Sequence, residues 1–515
     1  MQINIKGEVN RYYVQTLCMI FYPGAGFSGN DAEDGTPCLN LELRATDHGY
    51  EATATAIRAE RTLTETRSCD FNEIRSAERT KKIAVGAAVV AVLGAMESYK
   101  PSWGILTGVR PSKVATEYLN MGFSKAKVKK ILTSEYLVIP KKAALATEVA
   151  VCEKKIIGTP DEKDCSVYIS IPFCPSRCSY CSFVSYSSKR LLSLIPDYLE
   201  RLICDVKANF ALIRRLGLHV KSVYIGGGTP TILDEKQLYT LLETIGRETD
   251  VSALEEFTLE AGRPDTITAE KLRIAYEHGV TRISVNPQSL CEKVLERIGR
   301  HHTAEDFLRA YDIAAHSGIK YINTDLIVGL PEDNFKTFSS TFDQIVALDP
   351  ANITVHTFCV KKSAELLRNG CDVFSMRGGD AGKCVDYVQI KAAQAGYMPY
   401  YMYRQKKTVG NFENVGFAKD GAEGIYNIHM MEETHSIFAV GAGAVTKLVN
   451  HQAKSGHANA NETAATEDGE NTRRENKIIR LFNQKYPYEY LSENKSGEIL
   501  AKIEAFYCRQ GMMES

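Results

Sequence analysis

"YISIPFCPSRCSYCSF", residues 168–183, is a β-branched run that opens into a loop carrying three cysteines, Cys174, Cys178 and Cys181. Three thiols cannot all pair as disulfides, and structural zinc takes four ligands. Soft thiolates suit either an iron–sulfur cluster or zinc. In a four-iron cluster, three cysteines leave one iron open to a substrate or cofactor. In a zinc site, a distant side chain such as His219 or Cys204 would have to complete the tetrahedron. The place of the loop in the fold bears on the choice.

From Ser166 onward, short β-branched runs alternate with amphipathic helical patterns. The strands read as 167–171, 222–227, 256–261, 282–286, 321–329 and 352–358, with helices such as 196–215 and 235–247 between them. Six βα units in series predict a parallel sheet whose sequential strands curl into an open or closed barrel. Such barrels keep their chemistry at the carboxyl ends of the strands, and the cysteine loop follows the first strand. This places the barrel core at 161–360.

Residues 1–160 read as a separate α+β domain of unknown role. Its strands are "INIKG", "CLNLELRA" (38–45) and "YEATATAI" (50–57), followed by a long helix over about 72–98 and helical stretches near 112–121 and 124–137. The run "IAVGAAVVAVLGAM" (83–96) is too short to span a bilayer and reads as a buried helix. Past the barrel, 361–449 reads as a mixed, mainly helical region on the substrate side. The stretch 450–476 has no apolar residue larger than alanine and reads as a disordered polar loop, and 477–515 as a helical segment packing back on the body.

The totals exclude some functions. Net charge is −1, so no global field draws the chain to nucleic acid or anionic lipid. The basic segment 124–132 reads as a solvated helix face. The first ten residues lack the apolar core of a signal peptide, and the chain is expected to be cytoplasmic, with no membrane partner. Most of its 14 cysteines are then reduced core thiols.

Further motifs fall after successive strands. "YIGGGTPT" (224–231) carries Gly227, Gly228 and Thr229, "LEAGRPDTIT" (259–268) Glu260, and "RISVNPQSL" (282–290) Gln288. "RIGRHH" adds Arg300 and "NTDLIVGLPED" (323–333) Asp325. Singly, Glu260 and Asp325 read as caps or ion-pair partners, Gln288 as a hydrogen-bonding core residue and the glycines as a turn. As an ordered set they read as a cofactor site.

The cysteine loop resembles that of the radical S-adenosylmethionine (SAM) enzymes. The ordered set resembles the oxygen-independent coproporphyrinogen III dehydrogenase family and its haem-chaperone relatives over 166–359. "WGILTGVRPSK" (103–113) and "YYMYRQKKTVGNFENVGF" (400–417) resemble the longer HemZ-type branch, and "HSIFAVGAGAVTKL" (435–448) its glycine-rich segment.

The resemblance implies a partial (β/α)6 barrel. It also implies a [4Fe–4S] cluster on Cys174, Cys178 and Cys181 whose open iron takes SAM. SAM would be cleaved reductively to a 5′-deoxyadenosyl radical with an electron from a donor such as a flavodoxin or ferredoxin. Two SAM sets are implied: Tyr168, Gly227 and Glu260, then Tyr180, Gly228, Thr229, Gln288, Arg300 and Asp325. Cys359 and Val445 complete the cofactor positions. The expected substrate is a tetrapyrrole, with Arg404, Lys406 and Lys407 as candidates to meet its propionates. An exposed basic loop is the other reading of those three.

Two departures flank the cluster loop: Phe183 stands where the dehydrogenases carry a fourth cysteine, and Ser170 where they carry a histidine. A haem-binding carrier and a radical SAM methyltransferase therefore stand beside the decarboxylase reading.

Overall fold

The Tyr168 run forms an interior strand of a wide sheet in the computed structural model, which describes residues 1–27, 36–181, 185–359, 379–405, 408–451, 478–493 and 495–511. Phe183, Lys406, Lys407 and all but the first two residues of the polar stretch lie outside the described residues.

The N-terminal residues form their own sheet, in the order β1 (Gln2–Lys6), β2 (Cys38–Thr46), β3 (Gly49–Arg58) and β4 (Arg61–Asp70). Alternation marks the first three, and β2 buries every second side chain, Leu39, Leu41 and Leu43. The fourth was missed because its run "RTLTETRSCD" is nearly all polar and mostly exposed. The helix Ala77–Glu97 packs on β3 and β4 and buries the apolar run 83–96. Ser76 caps it by accepting from the Arg79 N–H. Helices Arg11–Phe21 and Pro140–Ile157 were also not anticipated. The helix Lys125–Ser134 in the basic segment turns Val128, Ile131 and Leu132 inward.

The second sheet has eleven strands. Six are parallel and in sequence order: β5 (Asp164–Ile171), β6 (His219–Gly227), β7 (Glu256–Leu259), β8 (Arg282–Ser284), β9 (Tyr321–Val328) and β10 (Asn352–Thr357). All four residues of β7 are buried, as expected of a parallel strand covered on both faces. Helices 235–248, 304–315 and 335–347 between these strands each open on a reciprocal capping box, at Asp234/Gln237, Thr303/Asp306 and Asn334/Thr337. The fold of this part is a partial (β/α)6 barrel.

The C-terminal helices are joined by strands that extend both edges of this sheet. β11 (Met398–Tyr403) and β12 (Asn414–Ala418) are antiparallel additions beyond β10. β13 (Ser436–Val440) pairs parallel to β5, and β14 (Val445–Val449) and β15 (Ile478–Phe482) continue outward. β5 and β10 thus pair with different C-terminal strands instead of each other, and the barrel stays open. The helix Lys495–Arg509 buries Ile499, Ile503, Phe506 and Tyr507 and packs on Ile195–Arg215.

The N-terminal unit meets the barrel at a buried seam. Lys142 and Glu413 form an ion pair with side chains 1% and 0% exposed, and Trp103 Nε1 donates to Glu413 at 2.8 Å. No helix among the described residues is long and apolar enough to cross a membrane.

Candidate cofactor site at the strand ends

β5 delivers the chain into the cysteine loop, which the neighbouring elements hold. Cys174 N–H donates to Tyr186 O (3.0 Å), and Ser179 N–H to Ile298 O (3.0 Å). Thr229 Oγ1 donates to Cys174 Sγ at 3.3 Å, and Arg263 Nη1 lies 3.8 Å from Cys178 Sγ. Burial pushes the Cys174 thiol up to about 11.

The three sulfurs do not all lie within 4.8 Å of one another. A single tetrahedral zinc, with Zn–S bonds of ~2.3 Å, would draw its thiolates to roughly 3.8 Å apart. Neither proposed fourth zinc ligand is near. His219 starts β6, eight strand residues and roughly 26 Å from the Gly227 end, and its ring lies with Asp161 and Asp164. Cys204 is exposed on the Ile195–Arg215 helix.

The glycines at the end of β6 form a cradle that no side chain could enter. A Cβ on Gly226 would lie 2.7 Å from Glu260 Oε2, and one on Gly228 2.4 Å from Phe173 O. Gly227 has φ +109°, a left-handed backbone that glycine adopts without strain. Its N–H points to Glu260 Oε2 at 3.3 Å, and Tyr224 Oη donates to Glu260 Oε1 at 2.5 Å. Burial raises the Glu260 carboxyl to about 7; the Tyr224 bond opposes this and the charge of Asp325 adds to it.

Gln288 has φ +67°, unusual outside glycine. Its backbone is clamped to β9, donating to Asp325 O at 3.1 Å and accepting from Ile327 N–H at 3.1 Å. The side-chain Oε1 is buried with no hydrogen-bond partner. Buried acceptors are seldom left so, and one at a positive φ is a candidate for contact with a ligand. Asp325 accepts from Asn286 Nδ2 and Asn323 Nδ2, both at 2.8 Å. Burial pushes its carboxyl upward, but hydrogen bonds from His356, Asn323 and Thr354 prevail and hold it below its ordinary value. Arg300 is buried, donating to Tyr180 Oη at 3.2 and 3.3 Å and to Asn286 O at 3.0 Å. Tyr180 and Arg300 thereby join the cluster loop to β8.

Sequence reasoning missed Asn286, His356, Arg263 and an aromatic stack. The Tyr168, Tyr224 and Tyr426 rings lie 4.5–6.2 Å apart, centroid to centroid, within 27° of parallel. Glu256 places Tyr426: its carboxylate accepts from the Ile425 and Tyr426 N–H groups at the start of the Ile425–Glu432 helix, and from Arg282 Nε. Nothing near Tyr426 in the sequence signals this, because its partners lie some two hundred residues away.

Three expected positions make contacts of other kinds. Cys359 bridges Thr408, and Val445 starts β14 opposite Phe482. Arg404, expected to meet substrate propionates, is turned into the seam. Its Nη atoms donate to Leu106 O and Asn411 Oδ1, both at 2.7 Å, its guanidinium lies over Trp103, and burial lowers its pKa to about 10. Lys406 and Lys407 lie outside the described residues.

The sequence model of the radical SAM superfamily matches residues 168–345. The chain is 33% identical over 462 residues to the oxygen-independent coproporphyrinogen-III oxidase-like protein HemZ of Bacillus subtilis, covering 87% of this chain and 91% of that one. It is 31% identical to the heme chaperone HemW of the same organism, over 54% of this chain and 70% of the other. Among solved structures, coproporphyrinogen III oxidase HemN of Escherichia coli is similar at 19% identity and a TM-score of 0.49, over 68% of this chain and 73% of that one. The chain belongs to the radical SAM superfamily, which binds a [4Fe–4S] cluster and SAM, and within it to the oxygen-independent coproporphyrinogen-III oxidase-like family, in the HemZ-type branch.

Proposed function

We propose that this chain oxidatively decarboxylates propionate side chains of coproporphyrinogen III. Each would lose a hydrogen atom, one electron and CO2 to leave a vinyl group, and two such events give protoporphyrinogen IX without oxygen. The observation that supports the reading is that Gly227, Glu260, Gln288 and Asp325 lie at or just beyond neighbouring strands, with the Gln288 acceptor buried and unpartnered among them. The substrate side of the reading draws on the HemZ relative.

When bound, the cluster and SAM supply a 5′-deoxyadenosyl radical by one-electron cleavage of SAM. The chain's own residues do the rest. Cys174, Cys178 and Cys181 ligate iron. Tyr168, Gly227 and Glu260 hold one SAM, the largely protonated Glu260 at mildly acidic pH being able to donate as well as accept. Tyr180, Gly228, Thr229, Gln288, Arg300 and Asp325 hold a second. The Tyr168–Tyr224–Tyr426 stack gives the mouth an apolar wall that excludes water. The chain would act in the cytoplasm.

One observation favours a haem-binding carrier instead. Ser170 Oγ donates to Ala442 O at 2.9 Å, and a Cβ at Gly441 would lie 3.1 Å from Ser170 Cβ. The place of the family histidine is thus filled by a small packed residue with no titratable group.

An anaerobic assay of reconstituted chain with coproporphyrinogen III, SAM and reductant separates the two. Protoporphyrinogen IX with matching 5′-deoxyadenosine is expected. Stoichiometric haem binding with no product at any substrate concentration would overturn the decarboxylase reading.

A further inference from the structure

The turn after β7 puts a buried cation against the cysteine loop. "GRPD", residues 262–265, leads into a single turn over Pro264–Thr266. Thr266 closes it, donating its N–H to Arg263 O at 3.1 Å and its Oγ1 to the same oxygen at 2.9 Å. The Arg263 side chain is 4% exposed. Its Nε and Nη2 donate to the two carboxylate oxygens of Asp265, both at 2.9 Å, a planar fork that fixes the guanidinium. Nη1 reaches the loop, donating to Ser176 Oγ at 2.9 Å and lying 3.8 Å from Cys178 Sγ. The guanidinium thus engages the chain itself, and its influence on a bound group passes through Cys178.

The charge on this side of the loop is positive. Burial works against the Arg263 charge, but the Asp265 carboxylate prevails and holds the guanidinium above its ordinary pKa. Arg300, buried as well, is a second cation close enough to act on Arg263 and Cys178. His302 is buried with neither ring nitrogen hydrogen-bonded. Burial, then the charges of Arg300 and Arg263, lower its pKa to about 4, so near neutral pH it adds no charge. Two guanidiniums stand here against the one carboxylate of Asp265.

We propose that Arg263, braced by Asp265, is a positioning residue that hydrogen-bonds the Cys178 thiolate and raises the reduction potential of the cluster this thiolate ligates. The proposal rests on the [4Fe–4S] cluster of the radical SAM reading. Reduction adds one electron to such a cluster and breaks no bond. A hydrogen-bond donor and a fixed positive charge beside a ligating sulfur therefore favour the reduced form. Burial strengthens the effect, because a low-dielectric surrounding screens charge less than water does. Asp265 acts in two ways: it aims the guanidinium, and it cancels part of its charge.

The test uses the anaerobically reconstituted full chain. Iron content is measured first. Dithionite then supplies the electron in a mediated titration, and the electron-spin signal of the reduced cluster gives the midpoint potential. Arg263→Gln is expected to lower the midpoint by ~59 mV, the shift that corresponds to a tenfold change in a one-electron equilibrium. Arg263→Lys keeps the charge but not the fork, and should restore part of that shift. Asp265→Asn removes the opposing charge while leaving an acceptor for the guanidinium, and should move the potential upward. A residue that only shaped the loop would lower the iron content, or shift both positions in one direction.

Potentials equal to that of the parent in all three variants overturn the proposal, as do shifts of the same sign in Arg263→Gln and Asp265→Asn. Should Arg263→Gln fail to hold iron, Asp265→Asn still decides: a rise supports the proposal and a fall or no change overturns it. A parent chain that takes up no iron overturns the cluster reading, and the proposal with it, before any potential is measured.

Discussion

At the seam, Glu413 accepts from Lys142, from Gln389 Nε2 at 3.3 Å and from Trp103 Nε1 at 2.8 Å, so each carboxylate oxygen is held by protein. At the strand ends, Gln288 is as buried in character but its Oε1 meets no protein donor, its backbone is held at positive φ, and Glu260 nearby is raised to about 7. Both regions bury polar groups at a cost that only hydrogen bonding offsets. Where the protein supplies every partner, the result is a rigid join between two parts of the chain. At Gln288 an acceptor is left open among the residues of the expected cofactor sets, where a ligand could supply the partner. Arg404 illustrates the difference: a cation in a family-like segment proves to belong to the join.

Removing a cluster thiol is the strongest way to separate the two regions. Anaerobically reconstituted chain should hold about four irons, with an electron-spin signal on reduction that shifts when SAM is added. Cys178→Ala should abolish the signal and leave the unfolding transition of the seam in place. Stoichiometric zinc without iron uptake would falsify the cluster assignment.

The seam comes next. Glu413→Ala leaves the Lys142 ammonium buried without a counter-charge, which costs about 3–5 kcal/mol. Urea unfolding should show the loss, and replacing both residues with apolar ones of similar size should recover most of it. A midpoint equal to that of the parent would mean that this ion pair does not hold the join.

Glu260 gives a pH signature peculiar to the strand ends. Its folded pKa, about 7, lies above the ordinary 4.5, so its contribution to stability is complete below about pH 4.5 and is lost as pH rises through 7. That corresponds to about 2 kcal/mol between pH 5 and 7.5 in the SAM-free chain. Glu260→Gln, neutral throughout, should flatten this part of the profile. An unchanged slope would place the titration elsewhere.

The smallest expected effect is at Asp325. Asp325→Ala removes an acceptor but leaves the Asn286 and Asn323 amides able to bind water. SAM affinity should fall about tenfold, or ~1.4 kcal/mol, with the cluster spectrum unchanged. Joint loss of cluster and fold would make Asp325 part of the scaffold and blur the contrast with Glu413.

Much of the strand-end region was legible because its signals are local. Strand period, capping residues and the Cys174–Cys178–Cys181 spacing are each written within a few consecutive positions, and the order of motifs along the chain is the order of strands in the parallel sheet. β4 was not legible, since a polar strand exposed to water needs no apolar alternation. Tyr426 was not, since its place depends on Glu256 and Tyr224 far away in the chain.

By itself, then, the sequence determined the parallel core, the family, and a three-thiol loop at the end of its first strand, because hydrophobic period and ligand spacing are short-range properties. The tertiary structure alone decided which way Arg404 faces. Arg404 follows β11, its N–H donates to Val109 O, and its guanidinium is held by Leu106 O and Asn411 Oδ1. These acceptors come from parts of the chain far apart in sequence, and no local pattern encodes where a side chain meets partners of that kind.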